Sequence, residues 1–443
     1  MSARPHADQF SIRCETLPRH VVSRGNASRF VAALRVALLA SLAFYAASSH
    51  AAGEPPAQRG RDIRVGTDVK TIHEAIKLAQ PGDTIHLQPI VYRDYAGFYG
   101  KKGAPGKPIT LDGHGATLEG SDPIDPAKWR EVSPGLFAND ELLPRLDDAV
   151  LVRWFFLWDG KMNLMGRTSK GRSAPFKKPE ELQPGEWTFV KGPPRADAKP
   201  RQIFGTFFLK LPPGQTLADA RIAAPMRSAG VQMSGDNAHL VIRNLTATHP
   251  YNDGFNIHGD CRDVVFENIR AIECGDDGVS AHESAEYRVD GLVSIGNSTG
   301  ITDTVAAHTS YNRVFIADCH GYDLFFLDNG RYKLTNAVVL SSAQNPFVLT
   351  GREDEHCEMI LENVLIRRTG PAKSAEVTKT AALDAKRVTF ENLGLAVRGE
   401  VKFENCIING KPMPEGSPAT GADRAKLIEE LVPAEYRKRF TQP

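Results

Sequence analysis

From Asn252 to Thr350, short apolar runs alternate with polar turns at a nearly constant interval. The recurring phrase begins at Asp253, Asp277, Asp303, Asp323 and Asn345, so successive copies stand 24, 26, 20 and 22 residues apart. Each copy closes five residues later on a polar residue: His258, His282, His308, Asp328 and Thr350. A period of this length built from brief strands predicts a solenoid in which every coil is one repeat. Parallel strands stacked in this way recur about every 4.8 Å, so equivalent positions form ladders along the axis. One expected ladder holds Asp253, Asp277, Asp303 and Asp323; a second holds His258, His282, His308 and Asp328. Strand alternation turns Phe255 and Ile257, Val279 and Ala281, and Val305 and Ala307 inward, and the histidines outward.

The rest of the chain fits around that stack. Residues 52–69 read as a polar lead-in. Thr71-Ile-His-Glu74 forms a capping box, and Ile72, Ala75, Ile76 and Ala79 make one apolar helical face, a lid for the first coil. The β-helix is expected over residues 70–410, interrupted by a β-rich insertion at 145–230. Within the insertion, Val152–Trp158, Glu186–Val190 and Thr206–Leu211 read as strands. Trp154, Trp158 and Trp187 offer either core packing or a sugar platform. Asn244, Asn268, Asn363, Asn392 and Asn405 each precede an apolar residue, which predicts a further, structural ladder. Residues 411–443 form a linker and a short helix, Ala422 to Val432, expected to cover the far end.

Composition then narrows the class. An apolar content of 41% and a charged content of 24% belong to a folded, water-soluble chain, and 38 Gly with 29 Pro suit many turns. Arg29 and Arg35 precede the apolar run Val36–Ala47, which ends in small residues; this predicts a signal peptide over residues 1–51 and a secreted or periplasmic protein. An uncleaved membrane anchor is the alternative. Without residues 1–51 the chain carries 48 basic and 51 acidic residues, so nucleic acid is not an expected partner. No membrane contact is expected after cleavage, and a monomer is. The five remaining cysteines read as buried thiols with at most one disulfide.

The candidate chemistry lies on the ladders. Asp253, Asp276 and Asp277 bring three carboxylates together, and like charges this close raise at least one pKa, as glycoside hydrolysis requires. His282, His258 and His308 flank them. Arg288, Arg313, Arg331 and Lys333 follow the strands at about one per coil and, with Asp303 and Asp328, make a candidate binding row for a polysaccharide that can include uronate. Cationic or imidazole bases also suit a lyase, for which Ca²⁺ is a possible cofactor. Otherwise no cofactor is expected, and no metal site is assigned, because the coil repeat is wider than tetrahedral zinc prefers.

Two stretches resemble known families. The phrase Ala75–Leu87, followed by Tyr92-Arg93 and by Lys107-Pro-Ile-Thr-Leu-Asp-Gly113, resembles the opening of right-handed parallel β-helix proteins, among them the alginate lyase and chondroitinase B group. Asn252-Asp-Gly254 and Gly275-Asp-Asp-Gly278 resemble the signature of polygalacturonase-type glycoside hydrolases, also right-handed parallel β-helices. The second resemblance implies inverting hydrolysis, with Asp276 as the acid and Asp253 and Asp277 activating water. That family's Gly-His-Gly is missing from the next coil, where Thr302-Asp-Thr304 sits, and Arg331-Tyr-Lys333 loosely matches its Arg-x-Lys clamp. The expected fold is therefore a single right-handed parallel β-helix. The leading functional expectation is a polygalacturonase-like hydrolase. The alternatives are a uronate lyase or epimerase, and a non-catalytic carbohydrate-binding solenoid.

Overall fold

The computed structural model describes residues 60–352, 355–418 and 420–440; the segment read as a signal peptide lies outside them. The chain winds as a right-handed parallel β-helix. Long strands such as Ala238–Thr248, Arg262–Ile272, Glu286–Ile295, His308–Ala317 and Arg331–Ser341 stack in one bent sheet. Shorter strands, Val231–Ser234, Phe255–Ile257, Asp277–Ala281, Thr299–Asp303 and Tyr322–Leu327, stack in a second. The two sheets enclose one apolar core that runs the length of the stack. The helix Ile72–Leu78 carries the expected capping box, and its buried Ile72, Ala75 and Ile76 join that core.

Each long strand turns a corner at one residue in the left-handed region. These residues are Asn244, Asn268, Gly291, Arg313, Asn336, Asn363, Arg387 and Asn405, all at positive φ. Asparagine tolerates that conformation better than most side chains. Asn268 Nδ2 donates to Asn244 Oδ1 at 3.4 Å and Asn363 Nδ2 to Asn336 Oδ1 at 2.8 Å, so the corner is a polar ladder. Asn392 belongs to a different bend, where it donates to the carbonyls of Arg368 and Gly370. His249 sits on a related bend between Glu119 (3.0 Å) and Glu273 (3.2 Å). Burial alone would lower its pKa, but the two carboxylates outweigh burial and raise it to about 9. A raised folded pKa adds stability below the unfolded value and loses it as pH climbs through the folded one. Urea denaturation is therefore expected to show a loss of roughly 3 kcal/mol between pH 6 and 10 that His249→Gln removes.

The insertion is larger than the sequence suggests. It leaves the solenoid after the strand Ile109–Glu119, runs from Ser121–Pro123 to Ile222–Pro225, and forms small antiparallel sheets. Its own core packs Trp154, Phe156, Trp187, Phe189 and Phe207. Trp154 and Trp187 are 0% and 1% exposed, which removes them as a sugar platform. The helix Arg424–Leu431 does not cover the far end. With Ala422, Val432 and Phe440, it lies on Phe315, Val338, Leu340 and Leu365, apolar residues on the outer flank of the long strands. All five described cysteines are buried free thiols.

Candidate active site

Strand pairing decides which side chains meet. Phe255 pairs with Val279, and Asp277 with Thr299. Asp253 and Asp277 therefore occupy the same position on neighbouring coils, as expected, but the next member of that ladder is Thr299 rather than Asp303. Asp303 pairs with Ala281 and points into the core. There it accepts hydrogen bonds from Tyr287, Thr309 and Tyr311, and burial raises its pKa to about 6. Asp323 is likewise internal and fully buried.

The acids do converge. Asp253, Asp276 and Asp277 offer oxygens that all lie within 4.8 Å of one another. Each residue is only 2–3% exposed. The backbone N–H of Asp277 and Ser280 Oγ donate to Asp253, at 3.0 and 2.7 Å, and Thr302 Oγ1 donates to Asp277 at 2.9 Å. Gly278 lets the wall close behind them: a Cβ there would fall 2.3 Å from Ser294 Oγ and 2.7 Å from the Gly300 carbonyl.

Sequence reasoning missed what covers the acids. The insertion sends Thr168–Arg172 across the coils as a strap. Thr168 and Ser169 hydroxyls each lie 2.7 Å from Ser298 Oγ, and Ser169 also donates to Asp276. Arg172 and Gln344 exchange two hydrogen bonds of 2.7 Å. Between these anchors Lys170 Nζ bridges Asp276 (2.5 Å) and Asp277 (2.6 Å). Arg153 Nε lies 2.8 Å from Asp276 Oδ2, an ion pair whose angle is too poor for a hydrogen bond. The Lys170–Asp276 contact spans 106 residues of sequence, so only the basic character of the Lys170–Lys178 loop hinted at it.

Two cations against three buried carboxylates split the protonation. Burial raises all three acids, but Lys170 and Arg153 outweigh it at Asp276 and hold that carboxyl well below the usual range. Burial and the charge of Asp276 push Asp277 well above it, and Asp253 upward as well. The shifts run in opposite directions, favouring ionisation at Asp276 and protonation at Asp277, whereas the family resemblance implies Asp276 as the acid. Burial would lower the Lys170 pKa, but Asp276 and Asp277 hold its ammonium above the usual value.

His258 and His282 stack with ring centroids 4.1 Å apart and planes parallel. Burial, then His258, drives His282 down to about 3, so it is neutral beside the acids. His308 does not join them. It opens a long strand in register with Glu286 and Arg331, while Arg288 and Lys333 both pair with Ser310. His308, Arg288 and Arg331 line a separate 440 Å³ cavity with Asp263 and Glu286. Arg313 is a corner residue bound to Asp290 at 2.8 and 3.0 Å. Asp328 accepts from Thr304 and the Val305 N–H, and pairs with Arg352 at 2.6 Å. Seven expected binding residues (Asp303, His308, Asp328, Arg288, Arg313, Arg331 and Lys333) thus lie outside the acid cluster. Ser298-Thr299-Gly300, not Thr302-Asp-Thr304, occupies the coil position after Gly275-Asp-Asp-Gly278.

No protein-family model and no curated protein matches the chain. Among solved structures, XylC in complex with xylose is similar at 11% identity over 76% of this chain and 69% of that one, with a TM-score of 0.44. A family 28 exopolygalacturonase of Yersinia enterocolitica is similar at 12% identity over 81% and 79%, with a TM-score of 0.27. The site is therefore read from its own geometry.

Proposed function

We propose that this protein is a secreted or periplasmic carbohydrate-active enzyme that hydrolyses a polysaccharide at Asp253, Asp276 and Asp277. The observation that carries the reading is the convergence of three buried carboxylates, their oxygens within 4.8 Å of one another, with Lys170 and Arg153 drawing on Asp276. Asp277 gives its proton to the leaving glycosidic oxygen, Asp253 takes one from the attacking water, and ionised Asp276 stabilises positive charge at the anomeric carbon. Asn252 Oδ1 and Thr299 Oγ1, buried on the same coils, have no hydrogen-bond partner among the described residues and suit a water or sugar hydroxyl. The carboxylate oxygens stand closer than the roughly 6.5–9.5 Å common between the acids of inverting enzymes. Access requires the strap to lift Lys170 off Asp277. The partly exposed edge at Lys170, His258 and His282 is where that opening begins.

Elimination fits less well. A lyase needs a base, yet Lys170 is held protonated by two carboxylates and His282 is too weak a base. A Ca²⁺ ion on the three acids would have to displace the Lys170 ammonium. The near-complete burial of the acids favours a second reading, in which the ion cluster only fastens the insertion to a non-catalytic binding solenoid. Incubating the purified protein with plant, algal and animal polysaccharides separates the three. Hydrolysis yields reducing ends without new ultraviolet absorbance, elimination yields absorbing unsaturated ends, and a binder yields neither.

A further inference from the structure

A second feature lies on the same wall. The short strand Ala96–Tyr99 pairs with Val231–Ser234, which pairs with Phe255–Ile257 and so leads to the acid coils. Tyr95 and Tyr99 point outward at 38% and 55% exposure. Both rings fold over Gly97, where a Cβ would fall 3.0 Å from Tyr95 and 2.7 Å from Tyr99. They line a 430 Å³ cleft whose polar groups are Arg227, Ser228, Gln232 and Ser234. The cleft abuts the acids: the N–H groups of Tyr251 and Asn252 donate to the carbonyls of Arg227 and Ser228, at 2.9 and 3.1 Å. Tyr99 and Asp277 belong to strands three steps apart, roughly 14 Å along the axis.

We propose that the Tyr95–Tyr99 cleft is a sugar subsite that seats a pyranose ring of the substrate chain several units from the bond to be broken. An exposed aromatic pair offers the flat apolar surface on which the C–H face of a sugar lies. Gln232, Ser228 and Ser234 offer the amide and hydroxyl groups that orient its hydroxyls, and Arg227, already bound to Asp122 at 3.0 Å, is held rigidly at the rim. Among the described residues no carboxylate lines the cleft, and Asp122 beside it is paired with Arg227. The assignment of substrate rests on the hydrolase reading, but sugar binding at this cleft can be measured without turnover.

The test uses the Asp277→Asn protein, titrated calorimetrically with tetragalacturonate and with xylotetraose. At least one is expected to bind, and adding Tyr99→Ala is expected to weaken it tenfold or more while Tyr99→Phe restores it. Because Tyr99 is largely exposed, the thermal melt of each variant should stay that of the parent. Binding that is unchanged by Tyr99→Ala, or no binding of either tetrasaccharide, overturns the subsite. Failure of the hydrolase reading shows separately, as absence of reducing ends from the wild-type protein.

Discussion

Replacing Asp277 with Asn is expected to lower the release of reducing ends by about 10²–10⁴-fold while leaving the fold intact. Burial and the adjacent Asp276 charge oppose ionisation of this carboxyl in the folded protein. An amide of the same shape still accepts from Thr302 and Lys170 through its oxygen. It carries no acidic proton, so protonation of the leaving oxygen is lost and packing is not. An unfolding free energy in urea within about 1 kcal/mol of wild type, with activity gone, is the expected pair of results. Collapse of the fold together with activity would favour the purely structural reading.

The second large effect falls on stability. Asp276→Asn removes the one firmly ionised carboxylate and leaves Lys170 and Arg153 facing a neutral amide. Their side chains are only 24% and 29% exposed, so water recovers little of the loss. Breaking a buried ion pair from one side costs about 3–5 kcal/mol. Urea denaturation should therefore separate two neighbouring, chemically identical substitutions by at least about 2 kcal/mol. Equal stability of the Asp276 and Asp277 variants would contradict the charge arrangement.

Much of this was readable in the chain because turn chemistry and apolar parity kept phase over the coils that matter. The 24-residue step from Asp253 to Asp277 is the true coil length there, and it brought His258 onto His282 as well. The following step differs from the expected one, because matching Asp to Asp gives 26 residues. The backbone instead takes 22, from Asp277 to Thr299, which places Ile301 on Val279 and Asp303 on Ala281, both facing inward. Apolar parity holds for Phe255, Ile257, Val279 and Ala281 but fails at Val305, expected inside and 42% exposed, and polar identity misleads at Asp303. The runs Val314–Ala317 and Ala337–Leu340, apolar on both faces, already signalled that something covers the outer flank; the C-terminal helix does so. The strap had no such signal. Lys170 and Arg153 reach the acids across more than a hundred residues through a separately packed insertion, and no local pattern encodes that contact.

The claim underlying all of this is that one aspartate of the cluster holds a proton at neutral pH beside an ionised neighbour. Carboxyl ¹³C NMR of the Asp-labelled protein, recorded at pH 7 for wild type and Asp277→Asn, reads that state directly. The account predicts a protonated-carboxyl signal in the wild type that disappears in the variant. A wild-type Asp277 signal at the ionised position would contradict it.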